Sequence, residues 1–297
     1  MKRAAGRGAR PGSSRAAVPS RISSHSRAAA PSRINSLSRA ALAAVARAGF
    51  PSRGGGSRAV SARAAVGRLL WSASGERRVP AAAALDQAVS ALPAGELAWL
   101  SEFNPLGPLY LFPTSPFLRA LAARVQACGA RRVVEVAAGD GFLSRALSHA
   151  VPDLKLIATD SGAWGDPAAR MSAAERRGLR GQHIAGLVPG PGVRRLEARA
   201  AIASLKPDLV LACWLPPGPV LARLIRSPVR YVLELGAGSG VTGDARCWRF
   251  EHEFCEELER TARCRLDERP RRRRHTTATL YLGAAHPDFA ERRHWMF

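Results

Sequence analysis

From about residue 79 onward, the spacing of apolar positions changes period several times. "SPFLRALAARVQACG" (115–129) places Phe117, Leu121 and Val125 four residues apart, on one face of a helix. Ser115 is its N-cap, Pro116 fits the first turn and Gly129 stops it. Residues 81–101 predict one or two further helices, with Leu85, Val89, Leu92, Leu97 and Leu100 on apolar faces. "NPLGPLYLFP" (104–113) reads as a proline-punctuated loop. Short apolar runs then predict strands at 131–136, 154–160, near 193–197, 208–214, 229–235, 263–267 and 276–282. Between them helices are expected at 142–150, in "SAAERRGLR" (172–180), in "ARAAIASL" (198–205), in "GPVLARLIRS" (218–227) and over 250–262. The last has Phe250, Phe254 and Leu258 at i, i+4, i+8. Strands alternating with helices imply a doubly wound, mainly parallel sheet. In such sheets ligands bind at the carboxyl ends of the strands, where the strand order switches.

Two strands run into glycine-rich turns: "RRVVEVAAGDG" (131–141) and "YVLELGAGSG" (231–240). The second has the better glycine pattern. The first has the better position. One strand–helix–strand unit takes about 30 residues; 57 residues follow Gly240, whereas 156 follow Gly141. A nucleotide loop also needs an acid about 20 residues on, to bond ribose hydroxyls. Asp160 lies 19 residues after Gly141 and ends the strand "LKLIATD". The charged segment leading to Asp267 is a poorer match behind the second loop. The first loop is therefore the candidate cofactor turn. Glu234 and Gly236–Gly240 become the end of the fifth strand and a candidate wall of a substrate cleft.

With Glu135-Val136-Ala137-Ala138-Gly139-Asp140-Gly141 and the later Asp160, the chain resembles the class I S-adenosylmethionine-dependent methyltransferases, as a divergent member. The likeness runs from about 115 to 283. It implies a Rossmann-like domain of seven strands whose last strand is antiparallel. It also implies a Gly139–Gly141 turn close to the methionine part of the cofactor, Glu135 nearby, and Asp160 with Ser161 at the ribose. Glu197 is the candidate acid after the third strand, where Arg199 is an alternative alignment. Ala137 stands where the pattern has its first glycine, which restricts the turn. An Ala-Gly turn without a ligand is the plain alternative.

Methyl transfer from a sulfonium needs alignment and exclusion of water, so a catalytic base can be absent. None announces itself here. In this class the fourth strand ends at the reacting methyl group, so Cys213, Trp214, Pro216 and Pro217 are candidate substrate residues, with Gly236 and Gly238 across the cleft. Relatives that methylate amino groups of nucleobases or glutamine have an Asn or Asp beside two prolines. Here Leu215 and Gly218 flank the prolines, so that polar group is missing. Trp214 suits either stacking on a planar substrate or burial in the core. Trp164 is a candidate cover for the adenine.

Charge changes this picture mainly at one end. Of the formal net charge of +22, residues 1–75 carry 14 basic groups and no acid. Ser-Arg recurs every six residues between 14 and 39, inside a twelve-residue unit. Too few large apolar side chains are present for a core, so 1–75 is expected to be disordered and of low complexity. A transit peptide, a basic arm for nucleic acid and a translated DNA repeat all fit; the regular period favours the repeat. "RPRRRRH" (269–275) is either a phosphate-contacting cluster or a solvated hairpin loop. Five cysteines without a CxxC pair indicate neither a disulfide framework nor zinc, and no metal is expected. No membrane span or signal-peptide core is visible. The compartment is expected to be cytoplasmic, or an organelle if 1–75 is a transit peptide.

The expected organisation is thus a disordered segment (1–75), an N-terminal helical cap (76–129) and a Rossmann-like methyltransferase domain (130–297). The expected function is methyl transfer from S-adenosylmethionine to an unidentified acceptor. The alternative is a non-catalytic, degenerate methyltransferase fold that holds nucleic acid through its arginines.

Overall fold

The computed structural model describes residues 57–93, 96–97, 101, 108–166, 173, 186–216, 218–237, 241–243, 245–265, 267 and 276–291. Pro217, Gly238, the 269–275 arginines and all but Ala173 of the helix expected at 172–180 lie outside them.

A single sheet of seven strands organises the chain: β1 (Arg132–Val136), β2 (Lys155–Asp160), β3 (Arg194–Arg195), β4 (Leu209–Cys213), β5 (Tyr231–Ala237), β6 (His252–Phe254) and β7 (Thr276–Leu282). Their order is β3-β2-β1-β4-β5-β7-β6. The first five are parallel, and β7 runs antiparallel to both β5 and β6. The expected doubly wound α/β sheet with a reversed last strand is therefore present.

Largely apolar runs form the middle strands, with one Glu each in β1 and β5, because both faces are covered. Helices α3 (Ser115–Ala127), α4 (Phe142–Ala150) and α7 (Glu256–Thr261) cover one face, burying Phe117, Leu121, Leu147 and Leu258. Helices α5 (Ala198–Leu205) and α6 (Val220–Ile225) cover the other, with Ile202, Leu224 and Ile225. Each such side chain contributes about 1.5–3 kcal/mol when fully buried. Winding reverses at β1, whose neighbours are β2 and β4, so a crevice opens at the carboxyl ends of β1 and β4.

Three expectations are corrected. First, the segment expected to be disordered over 1–75 ends too late. Residues 57–70 form helix α1 (Ser57–Leu70), which packs on α2 (Ala82–Ser90). Val66, Leu70 and Trp71 share a small core with Leu85, Val89 and Phe112. Arg63 is fully buried there and pairs with Glu96 through Nη2 and Oε1 at 2.7 Å. Composition hid this, because an Ala- and Arg-rich helix needs a partner's apolar surface to become stable.

Second, 250–262 is not one helix. It divides into β6 and α7, joined at Cys255. The i, i+4, i+8 series was accidental: Phe250 and Leu258 are buried, but Phe254 is 48% exposed. Pairing with β7 outweighs helix propensity here. Third, the described residues of 263–267 form no strand of the sheet. Its partner is the cap loop: Cys264 bridges Leu111, Phe112 N–H donates to Arg263 O at 2.7 Å, and Arg265 N–H donates to Tyr110 O at 3.0 Å.

Among the described residues no helix is long and apolar enough to cross a membrane, and no group of three or more His, Cys, Asp or Glu could hold a metal ion.

Candidate functional site

The turn after β1 is built by backbone and two carboxylates. Ala138 N–H donates to Thr159 O, and Gly141 N–H donates to Ala138 O, at 3.0 and 2.9 Å. Gly139 N–H donates to Asp160 Oδ2 at 2.9 Å, while Gly162 N–H donates to Asp160 Oδ1 at 2.7 Å. Asp160 thus ties the glycine turn to the end of β2. Gly141 has φ +70°, and a Cβ there would lie 2.5 Å from Val193 Cγ2. This position needs glycine for both reasons.

Ala137 also has a positive φ, +52°. An L-residue there carries roughly 1 kcal/mol of strain. Ala137→Gly is expected to raise stability by about 0.5–1 kcal/mol, read from the midpoint of urea unfolding; an unchanged or lower midpoint would show that the strain is absent.

Asp140 faces the cap. Its Oδ1 accepts from Phe142 N–H at 3.0 Å, at the start of α4. Its Oδ2 pairs with Arg77 Nη1 at 3.1 Å, and the Arg77 guanidinium lies 4.3 Å from the Phe142 ring centre. Arg77 Nε is buried without a hydrogen-bond partner among the described residues. The sequence reading missed Arg77, since nothing local marks one arginine among many.

Glu135 is 2% exposed, and its Oε2 accepts from Ser144 N–H at 3.1 Å and from Ser144 Oγ. Burial pushes its carboxyl from 4.5 up to about 7, against the pull of Ser144. At the end of β5, Glu234 is 5% exposed and accepts from Thr242 Oγ1 at 3.1 Å. Burial again pushes the carboxyl up to about 7. Each folded-state value exceeds the ordinary one, so the folded protein holds protons that the unfolded chain releases. Their contribution to stability is complete below about pH 4.5 and lost as pH rises through about 7. Glu234→Gln is expected to flatten the fall in unfolding free energy between pH 5 and 7 by up to about 1.4 kcal/mol per pH unit. Urea titrations at several pH values check this, and an unaltered slope would count against it.

These elements enclose a cavity of about 530 Å³ at the switch point. Of the sequence candidates, Glu135, Ala137, Gly139, Asp160, Cys213, Trp214 and Pro216 line it. Trp164 does too, beside Leu187 and Val188. Gly141, Ser161, Glu197 and Gly236 do not. Gly141 underpins the turn, and Ser161 Oγ accepts from Ala163 N–H at 3.2 Å. Glu197 is exposed at the start of α5. Gly236 is buried against Thr242 and Glu234, so the cavity wall after β5 is Val241 and Thr242 instead. The cleft role expected for Gly236 falls to those two residues.

Further lining comes from Arg77, Tyr110 and Arg265. Tyr110 stacks on Trp214 with centroids 5.5 Å apart and planes at 16°. The Arg265 guanidinium carbon lies 5.3 Å from the Tyr110 ring centre and 5.6 Å from that of Trp214. Burial pushes the Cys213 thiol well above its ordinary range.

No family model matches the sequence, and no curated protein matches it. Among solved structures it is similar to the human methyltransferase 10 domain containing protein: 10% identity, 59% of this chain, 84% of that one, TM-score 0.34. It is also similar to the 23S rRNA methyltransferase ErmE: 14% identity, 60% and 71% of the two chains, TM-score 0.30. The methyltransferase domain of bacterial-CtHen1-C is a third: 10% identity, 56% and 97%, TM-score 0.32.

Proposed function

We propose that the protein binds S-adenosylmethionine in this cavity and transfers its methyl group to a second molecule. The observation that carries the reading is Asp160. Its carboxylate lies at the switch point, fixes the glycine turn through Gly139 N–H, and lines a cavity of ligand size.

The residues present fit the cofactor on their own chemistry. Asp160 uses one lone pair on each oxygen for backbone N–H groups, which leaves acceptor capacity for ribose hydroxyls. Arg77 Nε–H is a buried donor without a partner among the described residues, suited to the cofactor's carboxylate. Trp164, Leu187 and Val188 supply apolar surface for a purine. The bound cofactor supplies a methyl group on a sulfonium, open to in-line displacement. The protein aligns the partners and keeps water out. Glu135 holds the first turn of α4 through Ser144 N–H, and so keeps the floor of the cavity in place.

Calorimetry on the full chain tests this. S-adenosylhomocysteine is expected to bind, and Arg77→Gln to weaken it about tenfold, the effect of losing one charge-assisted hydrogen bond. Absence of binding by a protein shown to be folded would overturn the reading. Retention of nucleic acid by that protein, without cofactor, would favour the non-catalytic alternative.

A further inference from the structure

The acceptor end of the cavity has an unusual balance of groups. The cap-loop pairing described above carries Tyr110 and Arg265 to the carboxyl end of β4. There they form a triangle with Trp214, each separation being between 5.3 and 5.6 Å. Trp214 is held at φ +54°, which a bulky residue rarely adopts, so its ring is aimed by the surrounding fold. Its Nε1–H is buried and has no hydrogen-bond partner among the described residues. An indole N–H buried against a cavity usually has a partner, and a ligand in the cavity would supply one.

This end offers donors and positive charge. Segment 213–218 contains no Asp, Glu, Asn or Gln. The acids elsewhere in the cavity already accept: Glu135 from Ser144, Asp140 from Arg77 and Phe142, Asp160 from Gly139 and Gly162. The Cys213 thiol stays protonated at neutral pH, so it is neither base nor nucleophile. A neutral amine or alcohol would lose a proton on methylation and needs a group to receive it. An oxygen anion does not.

Resting on the methyl-transfer reading, we infer that the acceptor is the carboxylate of a planar aromatic molecule. Arg265 and Trp214 Nε1–H hold the carboxylate, and the Tyr110–Trp214 stack packs against the aromatic body from one side. A carboxylate oxygen uses a lone pair to form the O–CH3 bond as the C–S bond breaks, with its electron pair going to sulfur. One negative and one positive charge cancel, giving a neutral ester and a neutral thioether. No proton moves, so the step needs no base.

The test uses the full chain, calorimetry and two probes of equal shape, 2-naphthoate and its neutral amide 2-naphthamide, each added after saturation with S-adenosylhomocysteine. Naphthoate is expected to bind at least about tenfold more tightly than the amide, as loss of a charge-assisted hydrogen bond implies. Arg265→Gln is expected to remove that preference. Trp214→Phe, which keeps a ring and loses the N–H, is expected to weaken naphthoate while leaving S-adenosylhomocysteine affinity unchanged. Equal binding of the two probes, no naphthoate binding at millimolar concentration, or a preference that survives Arg265→Gln would overturn the inference. So would transfer to a neutral amine with a rate rising through about pH 7, since Glu135 would then serve as base. Failure of S-adenosylhomocysteine itself to bind would count against the methyl-transfer reading instead, so the two failures stay distinct.

Discussion

Replacing Asp160 by Ala is expected to lower S-adenosylhomocysteine affinity by at least about a hundredfold, because two hydrogen bonds to a charged group are removed together. The same change strikes the apo protein. Gly139 N–H and Gly162 N–H both lose their acceptor, and Gly139 is buried. An orphaned buried donor costs about 1–3 kcal/mol. Asp160→Asn keeps one acceptor oxygen but turns an NH2 toward the other N–H, so it is expected to fall between wild type and Ala. Titration calorimetry with thermal unfolding on the same samples separates the two losses. Affinity that survives Asp160→Ala in a folded protein would remove Asp160 from the cofactor site.

Gly236→Ala is expected to be the most damaging single methyl group in the sheet. A Cβ there would lie 2.0 Å from Thr242 Oγ1 and 2.3 Å from Glu234 Oε1. The Thr242 hydroxyl accepts from Ala237 N–H at 2.9 Å, and it lies 3.1 Å from both Glu234 Oε1 and Ala237 O. Moving it leaves a buried N–H and a buried carboxyl without partners. The loss is about 3 kcal/mol in unfolding free energy, or roughly 10 °C in Tm for a domain of this size. Thr242→Ala removes the obstruction as well as the bonds. The double variant is therefore expected to be more stable than the sum of the single changes predicts. Strict additivity in a denaturant series would show that the two residues do not meet.

Much of this fold is written in local pattern. The helix at 115–127 was legible because its proline and glycine stop bracket its apolar face, although its N-cap is Thr114 and not the expected Ser115. Strand β4 was legible as an unbroken apolar run, β1 and β5 as apolar runs each broken by one Glu, and β2 from the acid that ends it. The place of the first glycine turn at the switch point was also legible, from the length of chain behind it. What could not be read depends on distant partners. Arg77, Tyr110 and Arg265 reach the cavity only through pairings across long stretches of chain. β6 exists because β7 offers it an edge, and α1 because α2 and the loop at 109–112 cover it. In each case the deciding energy lies in a contact that no window of ten residues contains.

The pairing of the cap with residues 263–265 also has a timetable. Asp86 bonds Arg263 across 177 residues, with Oδ2 accepting from Nη2 at 2.7 Å. On a ribosome working at about 5–20 residues per second, the cap emerges roughly 10–35 s before its partner is made. During that interval Leu111 lacks its bridge partner Cys264, and the aromatic corner at the end of β4 does not exist. A nascent chain stopped before Arg263 would carry the glycine turn and Asp160 without the residues proposed to choose the acceptor. Completion of the site therefore waits until Arg263 and Arg265 have been made, and a chaperone that shields the cap loop would act in that window.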